Sequence, residues 1–554
     1  MARSYLFGRF ALLAGRARFL DKHGIPTREG VEALAEAQRL RDAGGLTRRG
    51  AISLFGAAAA SSVLAAMGCA PDEALGRVAQ PARGGNANGG GNGASSADIA
   101  VVGAGLAGLT TAYELQRRGV TATLYEASDR VGGRCWSLDG VFPGQVVERG
   151  GELIDTTHQT MRGYAREFGL TLESFQREEG EVFYHFDGSL HPESAVVDEY
   201  RAFVDAMRDD LRAVGSPTAD AHTDADVALD LTNLADYLDS RQAGPLLRKV
   251  LDVVYNIEYG LEVREQSALA MLLFLHADRR NRFQPFGIFS DERFHVTEGN
   301  GRIPLELHAR LARPAELGMR LARVAKTSGG RIELTFTSGR RTVVRTHDRA
   351  VITLPFSVLR GVELHASLGL PAWKTRAIRE LRYGTNAKMM IGFTSRPWAA
   401  LGSTGGSYSD LANHQATWET NPARSAVDRG VLTDYSSGNR GAALDPRRPQ
   451  AEAQRFLTDL ERIFPGAQAA TRRDARGDLV VHLEHWPSSP NALGSYTANH
   501  PGYFTTIADN EAKPVDNLHF AGEHTSSFYE WQGFMEGGAL SGIRAATEVY
   551  DAVR

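Results

Sequence analysis

Three sets of residues have types and spacings that could do chemistry. The first is Gly103-x-Gly105-x-x-Gly108, with the apolar run Ile99 to Val102 before it and Glu126 some 20 residues beyond it. In such a unit Gly103 allows a tight turn, Gly105 lets backbone approach a pyrophosphate, and Gly108 lets a helix meet a strand. Glu126 can accept two hydroxyl bonds from a ribose. The second is Lys388, a cation in the otherwise apolar run Ala387 to Phe393. A lysine there either snorkels from an edge strand or is buried for a purpose. The third is "FAGEHTSSFYEWQGFMEGGALSG", Phe520 to Gly542, where Tyr529, Trp531 and Phe534 stand among glycines just before a helical pattern. Bulky aromatics need a wall and glycines permit close approach, so something flat fits here.

The elements that must position these residues are legible around them. Ile99 to Val102 reads as a buried strand, Leu109, Ala112 and Leu115 mark a helix, and Thr121 to Tyr125 is a second strand ending at Glu126. The helix N-terminus would face the anion. This strand–turn–helix–strand unit is a Rossmann-type dinucleotide site and predicts an α/β fold; it does not distinguish NAD from FAD. Further on, "EVFYHFDGSLH" predicts a hairpin turning at Asp187–Gly188. Val197, Tyr200, Val204, Met207 and Leu211 recur at helical spacing, and "SALAMLLFLHA" reads as a buried helix. None of these is nominated as catalytic, and no metal site is read. The chain has 554 residues, 42% apolar and 23% charged, which predicts two domains of ordinary globular type. Its net charge of -4 argues against nucleic acid as a partner.

"DRVGGRCWSLDG" followed by "ERGGELID" resembles the flavin-containing amine oxidase family, the monoamine oxidase and L-amino acid oxidase-like flavoproteins. The resemblance runs from Asp98 to the C-terminus and implies FAD. It implies that Arg134 reaches the FAD phosphates and that Gly150 and Gly151 pass close to the flavin. Val324 would touch the nucleotide through its backbone, and Gly522 and Glu523 would lie near the ribitol and phosphates. Trp531, Gln532 and Gly533 would lie beside the isoalloxazine. A helix starting near Met535, with Leu540, Ile543 and Ala546 on one face, would point its N-terminus at the N1–C2 edge, where charge develops on reduction. Lys388 matches the family's lysine that holds a water at N5. Tyr496 and Phe534 match the two walls of the aromatic cage over the flavin, and Trp486 lines the same pocket or belongs to the core. Ser495 stands where monoamine oxidases carry the cysteine bonded to flavin, so the FAD should be non-covalent.

The resemblance predicts a FAD-binding domain from 98–170, 291–364 and 486–554, interleaved with an α+β substrate-binding domain from 171–290 and 365–485. The activity it implies is oxidation of a primary or secondary amine to an imine, with hydride transfer to FAD. Reoxidation falls to O2, giving H2O2, or to a periplasmic electron acceptor. An L-amino acid oxidase is the close rival; those relatives carry a carboxylate-clamping arginine where this chain has Leu153. A flavin desaturase and a non-catalytic FAD-binding protein are more distant readings. A homodimer stays open.

The N-terminus carries an address. Arg48–Arg49 precede an Ala-rich apolar run of roughly 17 residues, short for a membrane span and similar to a twin-arginine export signal. Residues 1–70 thus read as an N-terminal extension plus signal. Residues 71–97, rich in Gly, Asn, Ala and Ser, read as a flexible linker. The chain has 2 cysteines, Cys69 and Cys135, too few for a disulfide framework. A lipid anchor at Cys69 is the one membrane attachment considered, and the predicted location is periplasmic or extracytoplasmic. Replacing Arg48 and Arg49 together with Lys should trap the protein in the cytoplasm with FAD bound. Cell fractionation tests this, and unchanged export would refute the signal.

Overall fold

The computed structural model describes Ala17, Leu20 and Thr27, and then residues 97–174, 180–276, 292–420, 429–526 and 531–554. The twin-arginine pair, the apolar run, Cys69, the linker up to Ser96 and Tyr529 lie outside the described residues.

The first unit folds as its glycines require. Strands Ile99–Val102, Ala122–Tyr125, Arg349–Ile352 and Leu518–Phe520 form a parallel four-stranded sheet. Ile99–Val102 lies between Ala122–Tyr125 and Arg349–Ile352, and all four of its residues are buried. A central parallel strand covered on both faces reads as a continuous apolar run. Helix Leu106–Arg117 follows the glycines, and the C-terminal helix Met535–Val553 packs beside it. The two helices approach closely: a Cβ on Gly542 would lie 2.5 Å from the carbonyl oxygen of Ala107. The buried stripe of the C-terminal helix is therefore made of small residues, Ala539, Gly542, Ala545 and Ala546, ending at Val549. Of the face expected there, Ala546 is buried but Leu540 and Ile543 are half-exposed. Close backbone approach, not side-chain bulk, selected the contact.

The second body is a seven-stranded sheet. Its order is Val481–His485, Ala387–Gly392, Val431–Ser436, Ala416–Glu419, Ser403–Ser409, Glu181–Phe186 and Ser189–His191. Its neighbours are antiparallel except for Ser403–Ser409 against Glu181–Phe186. The hairpin turns at Asp187 and Gly188, both with positive φ, 53° and 73°, as a two-residue type I′ connection demands. The strand carrying Lys388 is second in the sheet, paired on both sides, so the snorkelling alternative fails. The long helix expected around Tyr200 is two, Glu193–Ala206 and Arg208–Ala213, broken at Met207 with its apolar positions buried throughout.

Part of the N-terminal extension belongs to this body. Ala17 and Leu20 are fully buried in the core that includes Val197 and Tyr200. The Thr27 hydroxyl bonds Asp198 and accepts from the Arg201 guanidinium at 2.9 Å.

Because Gly542 sits against backbone, Gly542→Ala should lower stability by about 1–3 kcal/mol, the usual cost of overpacking. Chemical denaturation of the holoprotein measures this; a variant as stable as wild type would mean that the helices can part at no cost.

Candidate active site

One cavity of about 630 Å³ runs along the ends of the parallel sheet and reaches the seven-stranded sheet. On the nucleotide side Gly103 has φ 106°, and its N–H donates to Tyr125 O at 2.7 Å. A Cβ on Gly108 would fall 1.8 Å from Gly103 O, so only glycine lets the helix start there. Helix Leu106–Arg117 has no side-chain cap and no acid in its first turn, and Gly105, Leu106 and Ala107 line the cavity. Its first N–H groups are thus left for an anion. Glu126 holds the loop: one oxygen accepts from Ala104 N at 2.7 Å, the other from Ser128 N at 2.9 Å. Lining the cavity, it keeps lone pairs for hydroxyls.

Arg134 donates to Ser495 O and pairs with Glu523 at 3.0 Å, and the second Glu523 oxygen accepts from Thr497 Oγ1 and Gly533 N, both at 2.9 Å. Gly150 needs to be glycine, since a Cβ would meet Arg134 O at 1.8 Å. The Trp486 indole N–H, donating to Arg149 O at 2.9 Å, fixes that ring against the same segment. Gly151, Gly522 and Met535 line the cavity.

The opposite wall of the cavity is one face of the seven-stranded sheet. Lys388 lies directly opposite Tyr435, and Tyr435 opposite Ala416, two residues from Trp418. In a sheet that alternation puts Lys388, Tyr435 and Trp418 on one side. The Trp418 and Tyr435 rings meet at 5.1 Å, and the Tyr435 hydroxyl lies 3.0 Å from that of Tyr496. Phe534 also lines the cavity, backed edge-on by the buried His158 ring at 5.1 Å. Burial pushes the His158 pKa down to about 3, so the ring is neutral. The Lys388 ammonium meets the Glu152 carboxylate, Glu148 O at 2.8 Å and Gly150 O at 3.4 Å.

Three expected contacts are corrected. Val324 is fully buried in the strand Arg320–Lys326, its carbonyl taken by His365 N at 3.0 Å; Met319, Arg320 and Leu321 line the cavity instead. Trp531 does not line the cavity, its ring lying edge-on to His158 at 5.2 Å. Gln532 is turned inward, where its amide donates to Tyr503 Oη at 2.9 Å and to His524 O at 3.2 Å. Of this trio, only Gly533 reaches the cavity. Glu152, Trp418 and Tyr435 were missed. The period-two pattern of their strands marks a buried face for the two aromatics, but nothing local marks Glu152.

This fold and site meet their relatives here. The family of flavin containing amine oxidoreductases matches residues 106–550, and the chain belongs to it. The protein is thus a FAD-dependent oxidoreductase that acts on amine nitrogen. An L-amino-acid oxidase of Naja atra is 24% identical over 470 residues, covering 81% of this chain and 87% of the relative. One of Siganus canaliculatus is 26% identical over 484 residues, covering 82% and 85%. Among solved structures, cyclohexylamine oxidase from Brevibacterium oxydans IH-35A superposes with TM-score 0.69 at 22% identity, covering 82% of this chain and 99% of that one. Putrescine oxidase bound to putrescine gives 0.69 at 19%, with the same coverage. FAD fits the residues present. The uncapped helix start suits its pyrophosphate, Glu126 a ribose, and the Gly150–Gly151 segment a flat ring.

Beneath the site, Glu148 is buried, accepting from Asn300 N at 2.7 Å and from the Ser137 hydroxyl at 2.8 and 3.0 Å. Burial raises its pKa from 4.5 to about 7. A carboxyl with a raised folded-state pKa costs stability as pH climbs from the unfolded value through the folded one. Glu148→Gln should therefore match wild type near pH 4 and gain relative to it by pH 8. Thermal melts across that range check this, and a constant difference would refute the shift.

Proposed function

We propose that the enzyme oxidises a primary or secondary amine with an apolar or aromatic body, giving an imine that water hydrolyses to an aldehyde or ketone. The charge inventory of the substrate wall carries this reading. Among the described residues beside Trp418, Tyr435, Tyr496 and Phe534, the cation is Lys388, and its donors are directed at Glu152 and two carbonyls. The guanidiniums lining the cavity belong to its nucleotide side. Arg134 pairs with Glu523, Arg320 donates to Asn491 at 2.7 Å, and Arg130 stacks on Trp136. Among the described residues an α-carboxylate would find no bidentate partner, and burying it unpaired is costly. The apolar side chain at Leu153 supplies none.

A flavin held there would supply the hydride acceptor, while the chain's residues bind, orient and dry the substrate. Tyr496 and Phe534 flank the amine, and the aromatic surroundings favour its neutral form by penalising the ammonium. Lys388, paired with Glu152, bonds Glu148 O and Gly150 O and so would position the Gly150–Gly151 segment, with its donors, beside a bound flavin. With its donors directed at protein acceptors, this role replaces that of a water holder. FAD is held without a covalent link: Ser495, at the cysteine's place, donates its hydroxyl to Asn386 Oδ1 at 2.5 Å. The protein works outside the cytoplasm, exported by way of Arg48–Arg49, with Cys69 as its one candidate lipid anchor.

L-amino acid oxidation is the second reading, favoured by the names of the relatives at 24–26% identity. Anaerobic mixing with paired amines and α-amino acids decides between them. Amines should bleach the flavin at least about tenfold faster than their carboxylated counterparts, the ratio expected from one unpaired charge. Consistently faster bleaching by L-amino acids would overturn the proposal. Acid precipitation of the same preparation should release FAD, and colour left in the pellet would refute non-covalent binding.

A further inference from the structure

Glu152 follows the glycine pair directly and lines the cavity. One carboxylate oxygen accepts from Lys388 Nζ, and the other from the Trp418 indole N–H at 3.1 Å. The two donors come from strands separated by Val431–Ser436, so the carboxylate is fixed from two directions. A carboxylate has about four lone-pair sites and is acceptor-only when ionised, whereas an ammonium has three donors and no acceptor. The Lys388–Glu152 pair is therefore unequal toward a ligand. The ammonium's donors are directed at Glu152, Glu148 O and Gly150 O, while the carboxylate keeps acceptor capacity. The nearby hydroxyls add to the asymmetry, since Tyr496 Oη donates to Ile257 O at 3.3 Å and lies 3.0 Å from Tyr435 Oη.

We propose that Glu152 is the specificity-determining residue of this site: it pairs with Lys388, presents an acceptor to the amine N–H, and turns carboxylated ligands away. The inference rests on the amine-oxidising reading for its substrate, but it concerns the charge the site tolerates, which binding measures without turnover. Glu152→Gln keeps an acceptor for the Trp418 N–H and removes the charge, leaving Lys388 an unneutralised cation facing the cavity.

The test uses the holoenzyme and two ligands that cannot be oxidised: benzoate, and 2-phenylpropan-2-amine, which lacks an α C–H. Perturbation of the flavin visible band reports their binding. Wild type should take the amine and bind benzoate weakly. Glu152→Gln should tighten benzoate by about 10- to 100-fold, the scale of one unscreened charge in a partly dry site. Adding Lys388→Met to Glu152→Gln should abolish that gain, because the cation that attracts benzoate is gone. Benzoate affinity within about twofold of wild type in Glu152→Gln would overturn the proposal. If Glu152→Gln does not retain FAD, Lys388→Met alone decides: leaving an uncompensated carboxylate, it should tighten the ammonium form of the amine and weaken benzoate further. No change in either ligand would overturn the proposal equally. Wild type reduced faster by L-amino acids would refute both the amine reading and the exclusion of carboxylates by Glu152, whereas amine-preferring turnover without these binding shifts would refute the role of Glu152 alone.

Discussion

The architecture depends on how closely the C-terminal helix lies against the first one. Gly542 lets backbone meet backbone at Ala107, and a side chain there would push the helices apart. The approach matters because both helices begin at the same cavity. Leu106–Arg117 starts uncapped on one wall. Met535–Val553 starts at Phe534, also without a side-chain cap. The acid in its first turn, Glu536, is buried and accepts from Thr160 N and Met161 N of a neighbouring helix. Two positive helix ends are thus kept for one ligand, and a few glycines and alanines along a single stripe hold them in place.

The second tie crosses between the sheets. Lys388 leaves the seven-stranded sheet to bond the backbone around Gly150, so that sheet and the Gly150–Gly151 segment share a buried charge. A buried ion pair is weak evidence for stability, since desolvation offsets much of its attraction. Its value here is positional. It fixes the distance between the Trp418–Tyr435 face of the sheet and the Gly150–Gly151 segment.

What could be read in the sequence was what is local. The span from Ile99 to Glu126 folds as read because its glycines, helix and second strand contact one another within the unit. The register of the seven-stranded sheet is not local. Glu152 meets Lys388 across 236 positions and Trp418 across 266, and no spacing announces such contacts. The aromatic run near the C-terminus divides: Phe534 faces the cavity, while His158, far upstream, claims the ring of Trp531. Val324 shows the same limit. A strand near a nucleotide has two ends and two faces, and only pairing with Leu334 and His365 reveals which part is spent on the sheet.

Ala17, Leu20 and Thr27 precede the twin-arginine pair, yet they are packed into the substrate body. Covalent continuity and structural membership therefore need not coincide in this chain. A protease cutting anywhere between Thr27 and Ala97 would leave two polypeptides, the short one held by burial and by its bonds to Asp198 and Arg201. Such a nicked molecule would purify as a complex of two masses, and its melting midpoint would rise with protein concentration as mass action requires.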